Sequence, residues 1–180
     1  MKLCLYNISD EYLDHIRDID SRVYDNKFDI GMFGRKYLGI VLDINGFNYF
    51  APLSSPKKTD YDNKGNIRKS ILPIIRIADN KNKLLGTIKL SNMVPVPLSE
   101  VSYYNVKTEE DARYKNLVLS ELNFIKKNEA LINNYAKTLY NQKCQKKISN
   151  GYLKNTLEFE ALEAECEAFK KDFHKQTRCR

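Results

Sequence analysis

Hydroxyl and cationic side chains meet at the open end of one predicted hairpin. Asn45-Gly46 separates two runs rich in β-branched and aromatic residues, 37–44 and 47–53. Asn-Gly tolerates the positive φ angles of a two-residue type I′ turn, so these runs are predicted to pair as antiparallel arms. Arms of similar length bring their open ends together. The residues at that end are Arg35, Lys36, Ser54, Ser55, Lys57 and Lys58.

This set of side chains suits the cleavage of RNA without a metal ion. RNA carries its own nucleophile, the 2′-hydroxyl, so a protein has to orient that group and stabilise the charge on the phosphorane. Arginine and lysine supply positive charge, and serine hydroxyls can hold the non-bridging oxygens. A lysine of lowered pKa could accept the proton, but the sequence does not identify one. The alternative for Ser54-Ser55-Pro56 is a turn that ends a strand.

Other catalytic chemistries find little support. The sequence has no glycine-rich dinucleotide loop, Walker loop, H-E-x-x-H or G-x-S-x-G motif. His15 and His174 are the only histidines, and they are poorly placed for a two-histidine nuclease. Asp60 and Asp62 have no third carboxylate beside them for Mg²⁺. The glutamates within 158–167 are interpreted as a solvated helix face. We therefore expect neither a metal nor a cofactor.

Composition predicts one globular domain over residues 1–180. The chain is 42% hydrophobic and 29% charged, and its length allows a substantial core. No apolar run approaches the roughly 20 residues of a membrane span, and the first residues do not resemble a signal peptide. Four scattered cysteines without a C-x-x-C pair fit reduced thiols. We expect a cytoplasmic protein with no membrane partner.

Charge is distributed unevenly along the chain, whose formal net charge is +7. The segment 54–89 holds nine cations against three anions, a net charge of +6, whereas 157–168 holds five glutamates and no cation. Such asymmetry favours a polyanion on one face. The alternative is an ordinary basic surface.

Hydrophobic periodicity predicts an α+β fold. Strands are expected over 2–8, 37–44, 47–53, 70–77, 84–90 and 93–98, and Pro73 indicates an edge strand or a bulge. Helices are expected from an N-cap at Ser9, from a capping box at Thr108, from Asn128 and from Asn155, with Leu119 and Leu131 on inner faces. The β-rich part, 1–100, should form a twisted antiparallel sheet that the helices of 108–174 surround.

Two stretches resemble the ToxN/AbiQ family, the toxins of type III toxin–antitoxin systems. The first is Tyr37-Leu38-Gly39 behind two basic residues, followed after the hairpin turn by Tyr49-Phe50-Ala51-Pro52-Leu53-Ser54-Ser55-Pro56-Lys57. The second is Leu84-Leu85-Gly86-Thr87-Ile88 followed by Met93-Val94-Pro95-Val96-Pro97. The resemblance spans most of the chain, and the run A-P-L-S-S-P-K is its most specific part.

The resemblance implies a metal-independent endoribonuclease that cleaves A-rich cellular and phage RNA and leaves a 2′,3′-cyclic phosphate. It implies a sheet like the MazF/Kid barrel. The implied antitoxin is a small repeated pseudoknot RNA, which the toxin processes and with which it closes into a ring. The implied roles are abortive infection against phage and plasmid maintenance. The rival from another class is a non-catalytic basic RNA-binding module.

The resemblance also assigns roles to residues. Ser55 matches the key catalytic serine, Ser54 its Ser/Thr neighbour and Lys57 the lysine after the proline. Either Arg35 or Lys36 corresponds to the basic position before the tyrosine. The expected RNA contacts are Tyr24, Lys27, Phe33, Tyr37, Lys58, Lys64, Arg68, Lys69, Lys83 and Lys89. The expected stacking faces for bases are Phe47, Tyr49, Tyr61, Tyr103 and Tyr104.

Overall fold

A computed structural model describes residues 3–26, 34–145 and 151–178, with side chains as far as Lys171. The strands are β1 (Cys4–Ile8), β2 (Tyr37–Ile44), β3 (Phe47–Ser54), β4 (Ile74–Ala78), β5 (Leu84–Lys89), β6 (Val94–Pro95) and β7 (Val101–Tyr103). The helices are α1 (Asp10–Arg17), α2 (Ala112–Lys127), α3 (Glu129–Cys144), α4 (Gly151–Lys154) and α5 (Phe159–Arg178). Strands thus dominate the first half and helices the second, as the periodicity predicts.

The predicted hairpin is confirmed. Asn45 and Gly46 have φ angles of 53° and 81°, the left-handed conformation that the tight turn requires. β2 and β3 pair from Ile44 opposite Phe47 to Tyr37 opposite Pro52, with one irregularity between Leu38 and Leu42. At the open end the Leu53 amide donates to the Lys36 carbonyl at 2.9 Å. The two chain segments that carry the candidate site therefore meet as expected.

The sheet is antiparallel throughout and is organised around β3. The strand order is β4-β5-β3-β2-β1-β7. On the edge away from β2, β3 pairs with β6 at Tyr49 and Phe50, and with β5 at Leu53 and Ser54. The expected class, an antiparallel sheet surrounded by helices, is confirmed. Ser54 belongs to β3 because it pairs with Thr87, one residue beyond the predicted strand end.

The two edge strands of the sheet, β4 and β7, can be compared with the predictions from the sequence. β4 lies at one edge, as Pro73 immediately before it indicates, because proline cannot donate to a neighbouring strand. β7 lies at the other edge, where Ile8 of β1 faces Val101. The sequence did not predict β7, since three residues without clear alternation give too weak a pattern.

The N-terminus of α2 differs from the expected position. Thr108 ends a 3-10 turn and its hydroxyl donates to the Asn105 carbonyl at 2.8 Å, so the predicted capping box at Thr108 is wrong. The cap is Asp111, whose Oδ1 accepts from the Tyr114 amide at 2.7 Å. The face that α2 buries is formed by Val118, Glu121 and Ile125, so Leu119, which was expected on the inner face, lies outside it and is 42% exposed.

A polar group is buried where the helices meet the sheet. The Glu163 carboxylate accepts hydrogen bonds from the Tyr49 hydroxyl at 2.7 Å and the Tyr140 hydroxyl at 2.9 Å. The Tyr140 ring stacks on Phe159, with 5.7 Å between ring centroids. Two expectations are corrected: Tyr49 is fully buried rather than a stacking face for RNA, and Glu163 does not belong to a solvated helix face. Burial is tolerated because both hydroxyls satisfy the carboxylate.

In the part of the chain that the structure describes, no helix is long and apolar enough to cross a membrane.

Candidate active site

Arg35 is held rigidly at the base of the hairpin. Its Nη1 donates to the Ser54 Oγ and to the Leu53 carbonyl, both at 3.3 Å, and its Nε donates to the Asp25 carbonyl at 3.0 Å. The guanidinium lies over the Tyr24 ring, 4.4 Å from its centroid. Arginine suits this position because its planar fork can serve several acceptors at once. The cation is therefore pre-positioned beside the first serine.

Lys36 points in a different direction, as expected for a neighbouring residue in an extended segment. Its Nζ donates to the Asn7 Oδ1 at 3.0 Å and lies 4.5 Å from the centroid of the Tyr104 ring. Burial lowers the pKa of the Lys36 ammonium, and Glu109 partly opposes that shift. Of the two adjacent cations, Arg35 is the one that contacts a serine of the signature.

Ser55 is the first exposed residue after β3. Its side chain forms no hydrogen bond to any residue that the structure describes, and it is open to solvent together with Pro56 and Lys57. The Ser54 hydroxyl, by contrast, is half-buried and already accepts from Arg35. One hydroxyl of the pair is thus structurally engaged, and the other is available to a ligand.

A buried ion pair fixes the segment that follows Ser55. The Asp60 Oδ2 accepts from the Lys57 amide at 2.9 Å, and the Asp60 amide donates to the Lys57 carbonyl at 2.9 Å. Asp60 is 2% exposed, and its Oδ1 lies 3.3 Å from the Nε of Arg76 on β4 in an ion pair whose alignment falls short of a hydrogen bond. The carboxylate that the sequence considered for metal binding instead anchors Lys57.

The candidate residues share a cleft of about 460 Å³. Its wall includes all five candidate catalytic residues, namely Arg35, Lys36, Ser54, Ser55 and Lys57. The remaining wall is formed by Tyr24, Gly34, Leu53, Pro56, Leu85 and the α2 residues Tyr114, Leu117 and Glu121. Helix α2 therefore contributes part of the cleft wall beside the hairpin end.

Glu121 is the wall residue that the sequence did not identify. It is 8% exposed, and burial raises the pKa of its carboxyl to about 7. Its Oε1 lies 2.5 Å from the point that a Cβ on Gly86 would occupy, so in this conformation the carboxyl packs directly against the glycine. A signal was present in the sequence, since Glu121 stands three residues after the buried Val118 and four before the buried Ile125.

Tyr114, the other titratable residue that α2 contributes to the cleft, is half-buried. Desolvation raises the pKa of its phenol to about 12, and the nearby Glu121 carboxyl adds to the shift. The phenol therefore stays protonated near neutral pH.

The predicted RNA contacts occupy different environments. Tyr24 lies on the cleft wall, whereas Tyr37 is 1% exposed and its hydroxyl donates to the Tyr24 carbonyl at 3.1 Å. Tyr37 therefore supports the cleft from the core, which corrects its expected role as an RNA contact. Lys27 and Phe33 lie outside the described residues. The exposed predicted cations are Lys58, Lys64, Arg68, Lys69 and Lys83.

Lys89 borders a second cleft of about 540 Å³. Two other cations of that cleft are already paired, Arg17 with Asp25 at 3.5 Å and Arg22 with Asp20 at 2.7 Å. The Lys89 ammonium has its pKa lowered, chiefly by burial. The candidate active site is the cleft at the hairpin end, because it holds the unengaged hydroxyl of Ser55.

Within residues 3–26, 34–145 and 151–171, no three histidine, cysteine, aspartate or glutamate side chains are grouped so that they could hold a metal ion. Cys4, Cys144 and Cys166 carry free thiols.

Comparison with known sequences reproduces the resemblance noted above. The family described as "Toxin ToxN, type III toxin-antitoxin system" matches residues 4–167. The protein named Endoribonuclease ToxN of Bacillus thuringiensis subsp. kurstaki is 32% identical over 171 residues, which cover 92% of this chain and 83% of that relative. The match includes the hairpin, the cleft and helix α2.

Solved structures share the fold over nearly the same length. One concerns a type III toxin–antitoxin system with selective toxin inhibition by a non-coding RNA pseudoknot. It matches with a TM-score of 0.80 and 31% identity, covering 94% of this chain and 99% of that one. Another concerns a bacterial antiviral system that a processed non-coding RNA regulates. It matches with a TM-score of 0.79 and 30% identity, covering 91% and 97% of the two chains.

Proposed function

The chain belongs to the ToxN family of type III toxin–antitoxin endoribonucleases, and we propose that its 460 Å³ cleft cuts RNA by attack of the substrate's own 2′-hydroxyl. The observation that carries this proposal is the contact of Arg35 Nη1 with Ser54 Oγ at 3.3 Å beside the exposed Ser55. A fixed cation and a free hydroxyl at one point are what a scissile phosphate needs.

Each residue has a separate task in this proposal. The Ser55 hydroxyl donates to a non-bridging oxygen, and Arg35 and Lys57 stabilise the negative charge that grows on the phosphorane. Ser54 and Tyr24 hold the Arg35 guanidinium in place. The 2′-oxygen forms a bond to phosphorus, and the bond from phosphorus to the 5′-oxygen breaks. The products are a 2′,3′-cyclic phosphate and a 5′-hydroxyl.

The partner that we propose is a repeated pseudoknot RNA acting as antitoxin. One structural relative is described with an inhibitory RNA pseudoknot and another with a processed regulatory RNA. The exposed cations of the 54–89 segment supply the positive surface that such a partner needs. By the same likeness we propose processing of the precursor RNA, closure of a toxin–RNA ring, and a role in defence against phage and in plasmid maintenance, in the cytoplasm.

A cleavage assay in EDTA tests the proposal. We expect the protein to cut an A-rich RNA in the presence of the chelator, leaving ends that resist phosphatase until acid opens the cyclic phosphate. Intact RNA that nevertheless binds the protein would favour the non-catalytic binding module instead. Restoration of cleavage only by added Mg²⁺ would refute the metal-independent mechanism.

Binding of RNA should weaken steeply with salt. Each phosphate that a cation neutralises releases counterions, giving a slope of about −0.7 per contact for single strands on logarithmic axes. We expect Lys57→Gln to reduce the slope by about 0.7, whereas Lys137→Gln, on the exposed face of α3, should leave it unchanged. Binding titrations at several salt concentrations measure both slopes. Identical slopes for Lys57→Gln and the wild type would remove Lys57 from the interface.

A further inference from the structure

We propose that Glu121 of α2 accepts the proton of the attacking 2′-hydroxyl. This inference rests on the function proposed above, and it supplies the group that the serine–cation set lacks. Serine hydroxyls and a guanidinium donate hydrogen bonds to a phosphate, but they are poor proton acceptors near neutral pH. A carboxylate at the cleft wall is the natural candidate for that task.

The position of Glu121 places it on the side of the cleft that faces the hairpin end. The carboxyl Oε1 and the Ser54 carbonyl oxygen lie 2.5 and 3.1 Å from the same point beside Gly86. The carboxyl therefore sits next to the strand that ends in the two serines. Helix α2 also presents Tyr114 and Leu117 to the cleft, about two turns and one turn before Glu121, respectively.

The electrostatic surroundings leave Glu121 without a compensating cation. None of the salt bridges or hydrogen bonds among the described residues includes its carboxyl, although the residue is only 8% exposed. A buried carboxyl in a structural role is normally paired or hydrogen-bonded. An unpaired one that borders a cleft is typical of a functional site.

The groups around Glu121 decide its titration. Sharing the cleft wall are Tyr114 on the same helix, Arg35 and Lys36 before β2, Lys57 after β3, and Tyr24. Strand β5 presents Leu85 and Gly86, which do not titrate, and Arg76 of β4 is paired with Asp60. Desolvation is the cause that raises the pKa of Glu121 to about 7, where a general base is effective.

Lys36 is the competing acceptor, because burial also lowers its pKa. Its amine, however, donates to Asn7 and lies over Tyr104, so its nitrogen is engaged on the β1 side of the hairpin. Glu121 has no such engagement with the described residues. The two candidates therefore make different predictions for the pH dependence of cleavage.

The proposed step is balanced without any further reactant. The proton of the 2′-hydroxyl moves to the Glu121 carboxylate while the 2′-oxygen bonds to phosphorus. The bond from phosphorus to the 5′-oxygen breaks, and that oxygen takes a proton from water. Glu121 then returns its proton to solvent, so the enzyme ends each turnover unchanged.

Single-turnover rates against pH, with saturating enzyme, test the assignment. For the wild type we expect the rate to rise about tenfold per pH unit below about 7 and to level off above it, because only the carboxylate can accept the proton. The Glu121→Gln variant should cleave about 10²–10⁴-fold more slowly, and its rate should no longer show the inflection near pH 7. Its affinity for an uncleavable 2′-deoxy substrate should stay the same. Wild-type rates with an unchanged inflection in Glu121→Gln would overturn the proposal.

Two further experiments distinguish a general base from a general acid, and Glu121 from Lys36. A substrate with sulfur in place of the leaving 5′-oxygen needs no acid, so Glu121→Gln should remain slow on it; rescue by that substrate would overturn the assignment as a base. Loss of the inflection in Lys36→Met, with its retention in Glu121→Gln, would overturn it in favour of the lysine. Failure of the wild type itself to cut RNA would instead refute the proposed function.

Thermal unfolding provides the folding control. The folded protein binds the Glu121 proton more tightly than the unfolded chain, so the carboxyl costs stability as pH rises from 4.5 towards about 7. The amide of Glu121→Gln does not ionise, and the variant should therefore melt no lower than the wild type at pH 8. Far-UV circular dichroism then confirms that a slow variant is a folded one.

Discussion

Replacing Ser55 by alanine should reduce RNA cleavage by about 10²–10³-fold or more, the effect of removing one donor that stabilises transition-state charge. The fold should survive, because the Ser55 side chain is exposed and forms no hydrogen bond to the described residues. Cleavage rates with saturating enzyme, together with a melting curve, measure both expectations. Full activity in Ser55→Ala would make the assignment of this serine wrong.

Matched controls make the result specific to the cleft. Ser102→Ala removes another exposed serine hydroxyl, on β7, and should cut RNA at the wild-type rate. Ser54→Ala should have a mixed effect, since its hydroxyl accepts from Arg35 and its loss frees one arm of the guanidinium. Comparing the two neighbours separates direct contact with the phosphate from the positioning of a cation.

Replacing Asp60 by asparagine should destabilise the protein by about 3 kcal/mol or more, because it leaves the buried Arg76 without its counter-charge. The substitution also weakens the hydrogen bond that holds the Lys57 amide. Cleavage should therefore fall even at temperatures where the variant remains folded. Chemical denaturation measures the free energy of unfolding, and single-turnover cleavage measures the second effect.

Removing both charges distinguishes an ion pair from simple packing. A variant with Asp60→Leu and Arg76→Met should recover much of the stability lost by Asp60→Asn, since apolar residues of similar volume can replace a buried pair. Its cleavage should stay impaired, because Lys57 still lacks its anchor. Asp43→Asn, at an exposed position of β2 whose side chain has no hydrogen bond or ion pair among the described residues, is the matched control and should leave the unfolding midpoint unchanged. Equal losses in Asp60→Asn and Asp43→Asn would contradict the proposed anchor.

Local features of the candidate site were predictable because their causes are local. The Asn45-Gly46 turn and the alternation of the two arms bring the segments of Arg35 and Ser54 together. The exact pairing of these two residues also depends on the register shift between Leu38 and Leu42, which the turn does not predict. Which of Arg35 and Lys36 contacts a serine could be decided only from the side of the strand on which each side chain lies. Adjacent residues in extended backbone point to opposite sides, and a sequence does not state which side the substrate occupies.

Features that depend on distant parts of the chain were mispredicted or missed. The cap of α2 is Asp111 rather than Thr108, and packing of the helix buries the face of Val118, Glu121 and Ile125 while Leu119 stays exposed. Tyr37 and Tyr49 were expected to contact RNA because tyrosine is common at RNA-binding surfaces, but both side chains are buried in the core. Three-residue β7 exists only because β1 offers it an edge.

The amino-acid sequence by itself determined the turn, the order of elements, the basic 54–89 segment and the serine–cation signature. These features follow from backbone preference, periodicity and charge, which depend only on residues that are close together in the sequence. The tertiary structure alone decided that Asp60 anchors the Lys57 amide while pairing with Arg76, that Glu163 is buried between tyrosines, and that Glu121 reaches the cleft beside Gly86. Those outcomes depend on desolvation and contact between segments far apart in the chain, and no local pattern encodes either of them.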